Sequence, residues 1–178
     1  MTVSNQPWRH PKHEASDLSL IVVPAPVLHS LAQNEVLPEG ISLTPYLVGD
    51  ECIGLWRMRS LQVRNTASDI PWITRFVCIT GIAVPIGLAG FHGVPDADGM
   101  VEVGYRIDPN YRRRGYARRA LEILLSVAQA QSEVRTVRAT ISPENTASRT
   151  LIEDYGFQAV GEQWDEEDGL EIIFEAAA

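Results

Sequence analysis

The run Arg112-Arg113-Arg114-Gly115-Tyr116-Ala117 joins three arginines to two residues with little or no side chain. Downstream, Ala117, Ala120, Leu121, Leu124 and Ala128 recur at helical spacing, which predicts a helix from near Gly115 to about Gln131. The first turn of a helix presents N–H groups that lack partners, at the positive end of its dipole. Small residues let an anion approach that backbone, and guanidinium groups add charge and forked donors. The chemistry this suits is pyrophosphate binding. A solvated basic helix cap would use the same residues. The stretch fits neither G-x-G-x-x-G nor G-x-x-x-x-G-K-[ST], so it supports neither a Rossmann nor a P-loop reading.

Other residues with chemical potential flank it. Glu102 is the one carboxylate within an alternating run in which Val101, Val103, Tyr105 and Ile107 are apolar. It should point away from that apolar row, as a proton acceptor, a solvated carboxylate or a partner for Arg106. Asn145 and Ser148, three apart, share a helix face. Asn145 also reads as a plain N-cap. His92 sits in Gly90-Phe91-His92-Gly93, as an acceptor contact or as surface.

The elements that must position these groups follow from periodicity and breakers. Strands are expected at Leu18–Val23, Trp72–Thr80, Pro85–Phe91, Val101–Ile107 and Val134–Ile141. A final hairpin should join Phe157–Trp164 to Leu170–Phe174 around 165–169. Helices are expected at Val27–Gln33, at Asp50–Asn65 with Asp50 as cap, and from Glu144-Asn145 to about Tyr155, closed by Gly156. Four strands, a helix, a strand, a helix and a hairpin make an α+β sheet with helices on both faces.

Arg112-x-x-Gly115-x-Ala117 after a strand resembles the acyl-CoA motif [QR]-x-x-G-x-[GA] of the GNAT acetyltransferases. Ile107-Asp108-Pro109 resembles the strand end that precedes it. Asn145-Thr146-Ala147-Ser148 and Tyr155-Gly156-Phe157 resemble the N-x-x-S and G-F signatures of the branch that acetylates ribosomal-protein N-termini. The resemblance implies a GNAT-type, mostly antiparallel sheet of six to seven strands and an acetyl-CoA-dependent N-acetyltransferase. It implies acetyl-CoA contacts from Tyr105, Arg106 and Ile107, from Arg112, Arg113, Arg114, Gly115, Tyr116, Ala117 and Arg118, and from Asn145 and Ser148. Backbone N–H groups near Tyr105–Ile107 would polarise the thioester carbonyl. Glu102 would act as base through water, and Ser148 or Tyr155 would protonate the departing sulfur. Many family members carry a tyrosine acid four residues before the Gly-Phe pair, where this chain has Ile152. The region between the first two strands helps form the acceptor site in the family; here it carries Trp56, Arg57, Met58 and Arg59. The implied acceptor is a protein or peptide N-terminal amine. A small-molecule amine (polyamine or antibiotic) and a non-catalytic acyl-CoA sensor are the alternatives, and a homodimer is compatible.

Composition narrows the classes. A chain of 178 residues, 45% hydrophobic and 21% charged, fits one domain with a sizeable core. A net charge of −8 argues against nucleic acid or an anionic membrane as partner. Six arginines against one aspartate between Arg106 and Arg119 make that segment a basic island. Cys52 and Cys78 form no C-x-x-C or His–Cys cluster, so neither a metal site nor a disulfide is expected, and a reduced cytoplasmic protein is the default. Residues 1–17 have no apolar signal region and read as a poorly ordered tail before one domain spanning 18–178.

Overall fold

The computed structural model describes residues 3–12, 17–166 and 169–178. Its strands are β1 (Trp8–Arg9), β2 (Leu18–Val22), β3 (Arg75–Ile79), β4 (Gly87–Phe91), β5 (Met100–Ile107), β6 (Thr136–Ile141), β7 (Gln158–Asp165) and β8 (Gly169–Ala177). The helices are α1 (Ala25–Gln33), α2 (Pro45–Val48), α3 (Asp50–Asn65), α4 (Tyr116–Gln129) and α5 (Thr146–Glu153). The strands form one sheet in the order β1-β2-β3-β4-β5-β6-β8-β7, antiparallel except for the parallel pair β5–β6. The expected mixed α+β sheet is therefore present, with β1 as an eighth strand. Among the described residues, no helix is long and apolar enough to cross a membrane.

Strand alternation divides the core in two. Val77, Ala89, Phe91, Val101, Val103 and Ile107 face α4, meeting Ala120, Leu121, Ile123 and Leu124. Phe76 and Leu88 face the other way, against Val27 and Leu28 of α1 and Cys52 and Trp56 of α3. Glu102, Gly104 and Arg106 alternate with the buried valines and so lie on the α3 face; Arg106 reaches the Glu51 carbonyl and the Cys52 sulfur.

The feature that makes a site is where β5 and β6 stop pairing. Their register runs Met100↔Thr136, Val101↔Val137, Glu102↔Arg138 and ends there. β5 remains paired with β4 through Ile107↔Gly87. Beyond Glu102 the two parallel strands diverge. The His92 N–H bonds the Glu102 carbonyl and the Asp108 N–H bonds the Ile86 carbonyl, so even-numbered residues of β5 serve β4. Alternation turns the N–H groups of Val103, Tyr105 and Ile107 into the open wedge.

Two expectations are corrected. Residues 3–12 are not a loose tail. Trp8 is buried and pairs opposite Leu20, under the Arg75 guanidinium 3.5 Å from its ring centroid. Arg75 is fully buried, and burial pulls its pKa down to about 9. It donates to the carbonyls of Ser4, Gln6 and Pro71 at 2.7, 2.8 and 2.5 Å, tying the segment to the sheet. The rest of the expected tail at 1–2 and 13–16, and 167–168 of the last turn, lie outside the described residues. The second correction is the cap of α3, which is Gly49. A Cβ there would stand 2.9 Å from the Pro45 carbonyl, so α2 abuts α3 too closely for a side chain, and Asp50 falls into the first turn.

Candidate active site

Two cavities open from the wedge and meet at Tyr105, Arg106, Asn145 and Ser148, which line both. One, of ≈ 480 Å³, lies over the start of α4. Of the residues expected to hold acyl-CoA, Tyr105, Arg106, Ile107, Arg112, Arg113, Gly115, Tyr116, Ala117, Arg118, Asn145 and Ser148 all line it. Arg114 does not. It lies over Tyr111, 5.7 Å from the ring centroid.

The loop geometry favours an anion. Arg113 and Gly115 both have positive φ, 62° and 78°, which turns successive N–H groups to one side. Gly115 caps α4, no side chain caps the helix, and its first turn holds no acidic residue. A Cβ on Gly115 would meet nothing within 4 Å, so the space before the helix end is open. Arg112 is partly committed elsewhere, its Nε donating to the Ile107 carbonyl at 2.8 Å. Arg118 is exposed and reaches Asp154 at 2.6 Å.

The other cavity, of ≈ 520 Å³, runs along the α3 face of β5. Glu102 lies in its floor. Its Oε1 accepts from Thr140 Oγ1 at 2.6 Å and stands 3.3 Å from His92 Nδ1. The Glu102 side chain is 19% exposed and that of His92 47%, so the imidazole is the more accessible of the two. The His92 ring is hemmed in by protein yet open to the cavity. Burial lowers its pKa, Glu102 opposes this, and the Arg59 charge adds to it. Behind it Arg59 is buried, with a pKa burial brings down to about 10. Arg59 donates to Thr74, Gln62 and the His92 carbonyl at 3.0, 2.6 and 2.9 Å. Gly104 completes the cradle: a Cβ there would lie 2.9 Å from His92 Nε2. Asp165 and Glu171 line the same cavity from the last hairpin.

At the junction, Asn145 Oδ1 accepts from the Ser148 N–H at 3.2 Å, so Asn145 is the α5 cap. The Tyr105 hydroxyl is buried beside Ser148 without a well-aligned hydrogen bond. Burial raises its pKa and Ser148 offsets part of the rise. Tyr155 is not brought here. Its hydroxyl donates to Glu122 Oε1 at 2.5 Å, whose other oxygen is 2.8 Å from His10 Nε2, and it lines neither cavity. The sequence predicts a helix that runs to about Tyr155. But α5 ends at Glu153, and the Tyr155 N–H closes a turn on the Ile152 carbonyl.

Sequence reasoning missed the Thr140–Glu102–His92 chain, the role of Arg59 and the Tyr105 hydroxyl. The available signal for the first was Gly104, an unexplained glycine inside a strand two residues from Glu102.

Comparison with known proteins gives the family and the fold. The family described as "Acetyltransferase (GNAT) domain" matches residues 49–158. The "Uncharacterized N-acetyltransferase YjdG" of Bacillus subtilis (strain 168) is 33% identical over 72 residues, 40% of this chain and 43% of that protein. The match thus spans less than half of that relative. The "L-2,4-diaminobutyric acid acetyltransferase" of Streptomyces avermitilis is 30% identical over 160 residues, 83% of this chain and 86% of its own length. Among solved structures, the ribosomal L7/L12 α-N-protein acetyltransferase RimL in complex with coenzyme A superposes with a TM-score of 0.66 at 13% identity, covering 97% of this chain and 98% of that one. A likeness at that identity speaks to the fold.

Proposed function

The chain belongs to the GNAT acetyltransferase family, and we propose that it moves an acetyl group from acetyl-CoA to a primary amine, with a protein or peptide N-terminus as acceptor. The observation that carries this is the meeting of two cavities at the β5–β6 wedge, one ending on an uncapped helix N-terminus, the other on a carboxylate. The first suits the pyrophosphate arm of acetyl-CoA, held by the N–H groups at the start of α4 with Arg113 and Arg118 nearby. Asn145 and Ser148 flank the pantetheine path. The thioester then lies at the wedge, where the Tyr105 and Ile107 N–H groups favour charge on the carbonyl oxygen.

The amine enters through the larger cavity. Its nitrogen bonds the acetyl carbon, the carbon–sulfur bond breaks, and the ammonium proton leaves toward Glu102 and the His92 imidazole beside it. Ser148, at the junction, donates to the departing sulfur. A thiol of ordinary pKa, ~8.5, needs only modest help to leave. Two free thiols, Cys52 buried, suit a reducing compartment, and we place the enzyme in the cytoplasm as a single domain.

A second acceptor reading has support of its own. Asp165 and Glu171 line the acceptor cavity, suiting a second ammonium, and the Streptomyces relative is named for a diamino acid. The deciding experiment is acetyl-CoA consumption across peptides with varied N-termini, 2,4-diaminobutyrate, polyamines and aminoglycosides. Acetyl-CoA binding without turnover of any amine would instead identify an acyl-CoA sensor.

A further inference from the structure

We infer that His92, through Nε2, is the group that takes the proton from the attacking amine, and that Glu102 acts on that proton by holding the imidazole. This rests on the acetyl transfer proposed above and names a residue for it.

The tautomer follows from the partners. Nδ1 stands 3.3 Å from Glu102 Oε1, an ion-pair distance at which a small turn of the ring aligns an Nδ1–H with a carboxylate that can only accept. That contact favours the neutral tautomer with its proton on Nδ1 and its lone pair on Nε2. Nε2 lies over Gly104, where even a methyl group would stand 2.9 Å away. His92 and Gly104 line the larger cavity, and Gly104 is one residue along β5 from Tyr105, which lines both. Access agrees with this: the imidazole side chain is 47% exposed and the carboxylate 19%. Glu102 is also occupied by Thr140 at 2.6 Å.

The ring is held from its backbone. The His92 N–H bonds the Glu102 carbonyl at 2.8 Å, and the His92 carbonyl accepts from Arg59 and Gln62 at 2.9 and 3.0 Å. The charged groups facing it are Glu102 on β5 and Arg59 on α3, with Asp69 behind Arg59. Burial and Arg59 keep the ring neutral at neutral pH, the state a base requires. When the amine nitrogen bonds the acetyl carbon, its proton passes to Nε2. The imidazolium is stabilised by the Nδ1–H···Glu102 contact while the electron pair of the broken carbon–sulfur bond leaves on the thiolate.

The first test needs no acceptor. Long-range ¹H–¹⁵N spectra of the full chain should give His92 as the Nδ1–H tautomer at pH 7, titrating below the ordinary histidine range. An Nε2–H tautomer or a charged ring at pH 7 overturns the inference. The second uses 2,4-diaminobutyrate and an alanyl peptide as probe amines. His92→Asn keeps a donor near the Nδ1 position but removes Nε2. It should lower kcat/KM by ~10²-fold, the scale of general-base catalysis, and erase the acidic limb while leaving acetyl-CoA affinity unchanged. Glu102→Gln should slow the reaction but keep that limb, moved to lower pH, because the charge that raises the His92 pKa is gone. If Glu102 works through water instead, His92→Asn keeps rate and limb and Glu102→Gln loses the limb. That result sinks this inference alone. No turnover by the unaltered protein sinks the transferase reading and this inference with it.

Discussion

Gly115 and Gly156 form a matched pair that isolates the anion site from fold stability. Both have φ of +78°, and in both an added Cβ would meet nothing within 4 Å. Alanine at either position costs the same left-handed strain, about 1–2 kcal/mol, offset in part by lost freedom in the unfolded chain. For a domain of this size that lowers Tm by roughly 2–4 °C per kcal/mol. The two differ in surroundings. Gly115 lines the cavity at the start of α4, and Gly156 lines neither cavity. In Gly115→Ala the new methyl points into the space a phosphate must enter. Loss of one hydrogen bond to a charged group, about 1.5–3 kcal/mol, corresponds to roughly 10- to 100-fold weaker binding. Calorimetry with coenzyme A should therefore find affinity reduced on that scale in Gly115→Ala and unchanged in Gly156→Ala, with similar melting curves. Equal affinity losses in the two variants would mean that general destabilisation is responsible. Unchanged affinity in both would mean that the Arg112–Ala117 loop does not hold the pyrophosphate.

Further outcomes are expected at other positions. Ser148→Ala should lower kcat by ~10-fold, one transition-state hydrogen bond of ~1.4 kcal/mol, and Tyr155→Phe should leave it unchanged; the reverse order in single-turnover rates refutes the assignment. Tyr155→Phe should instead cost stability. Burial raises the Glu122 pKa, but hydrogen bonds from Tyr155 and His10 outweigh it and hold it below the ordinary value. That stabilisation is present above the unfolded carboxylate pKa and is lost as pH falls through the folded one. The melting difference from the unaltered protein should therefore be largest near pH 7 and vanish in acid. Arg75→Met should cost about 1.5–3 kcal/mol through the lost hydrogen bonds from a charged group, and should deprotect the amides of Trp8 and Arg9 in hydrogen exchange; unchanged protection there would contradict the role of Arg75. Gly104→Ala should displace His92 and reproduce the rate loss of His92→Asn in a folded protein, and full activity would show the ring is free to move.

How much of this was legible in the sequence depends on the range of the forces involved. The β5–loop–α4 unit was legible because each part is local: an alternating strand, a Pro109 stop, a glycine able to take φ +78° and an amphipathic helix. Asn145 as a cap was legible for the same reason. The strap at β1 was not, because nothing in Trp8–Arg9 itself requires order. It is held by Arg75, 66 residues beyond Arg9, whose buried charge draws in carbonyls from both sides. Tyr155 differs for a local reason, since the helix expected to reach it ends at Glu153. The wedge was illegible because strand divergence is a property of the pairing of β5 with β6, which no pattern within either strand records.

The Glu102 end of the candidate site nevertheless left a mark in the sequence. Gly90 and Gly104 stand directly opposite each other on β4 and β5. Two glycines paired within strand interiors weaken a sheet, through lost side-chain packing and a more flexible unfolded chain. At Gly90 a Cβ would stand 2.7 Å from the Thr74 backbone nitrogen, so the segment before β3 crosses there at close range. At Gly104 it would stand 2.9 Å from the His92 imidazole. The first glycine lets the chain that bears Thr74, and through it Arg59, approach the sheet. The second makes room for the ring whose carbonyl Arg59 holds. Local propensity fails at these two positions because a longer-range arrangement needs the space, and that arrangement holds His92 beside Glu102 in the candidate site.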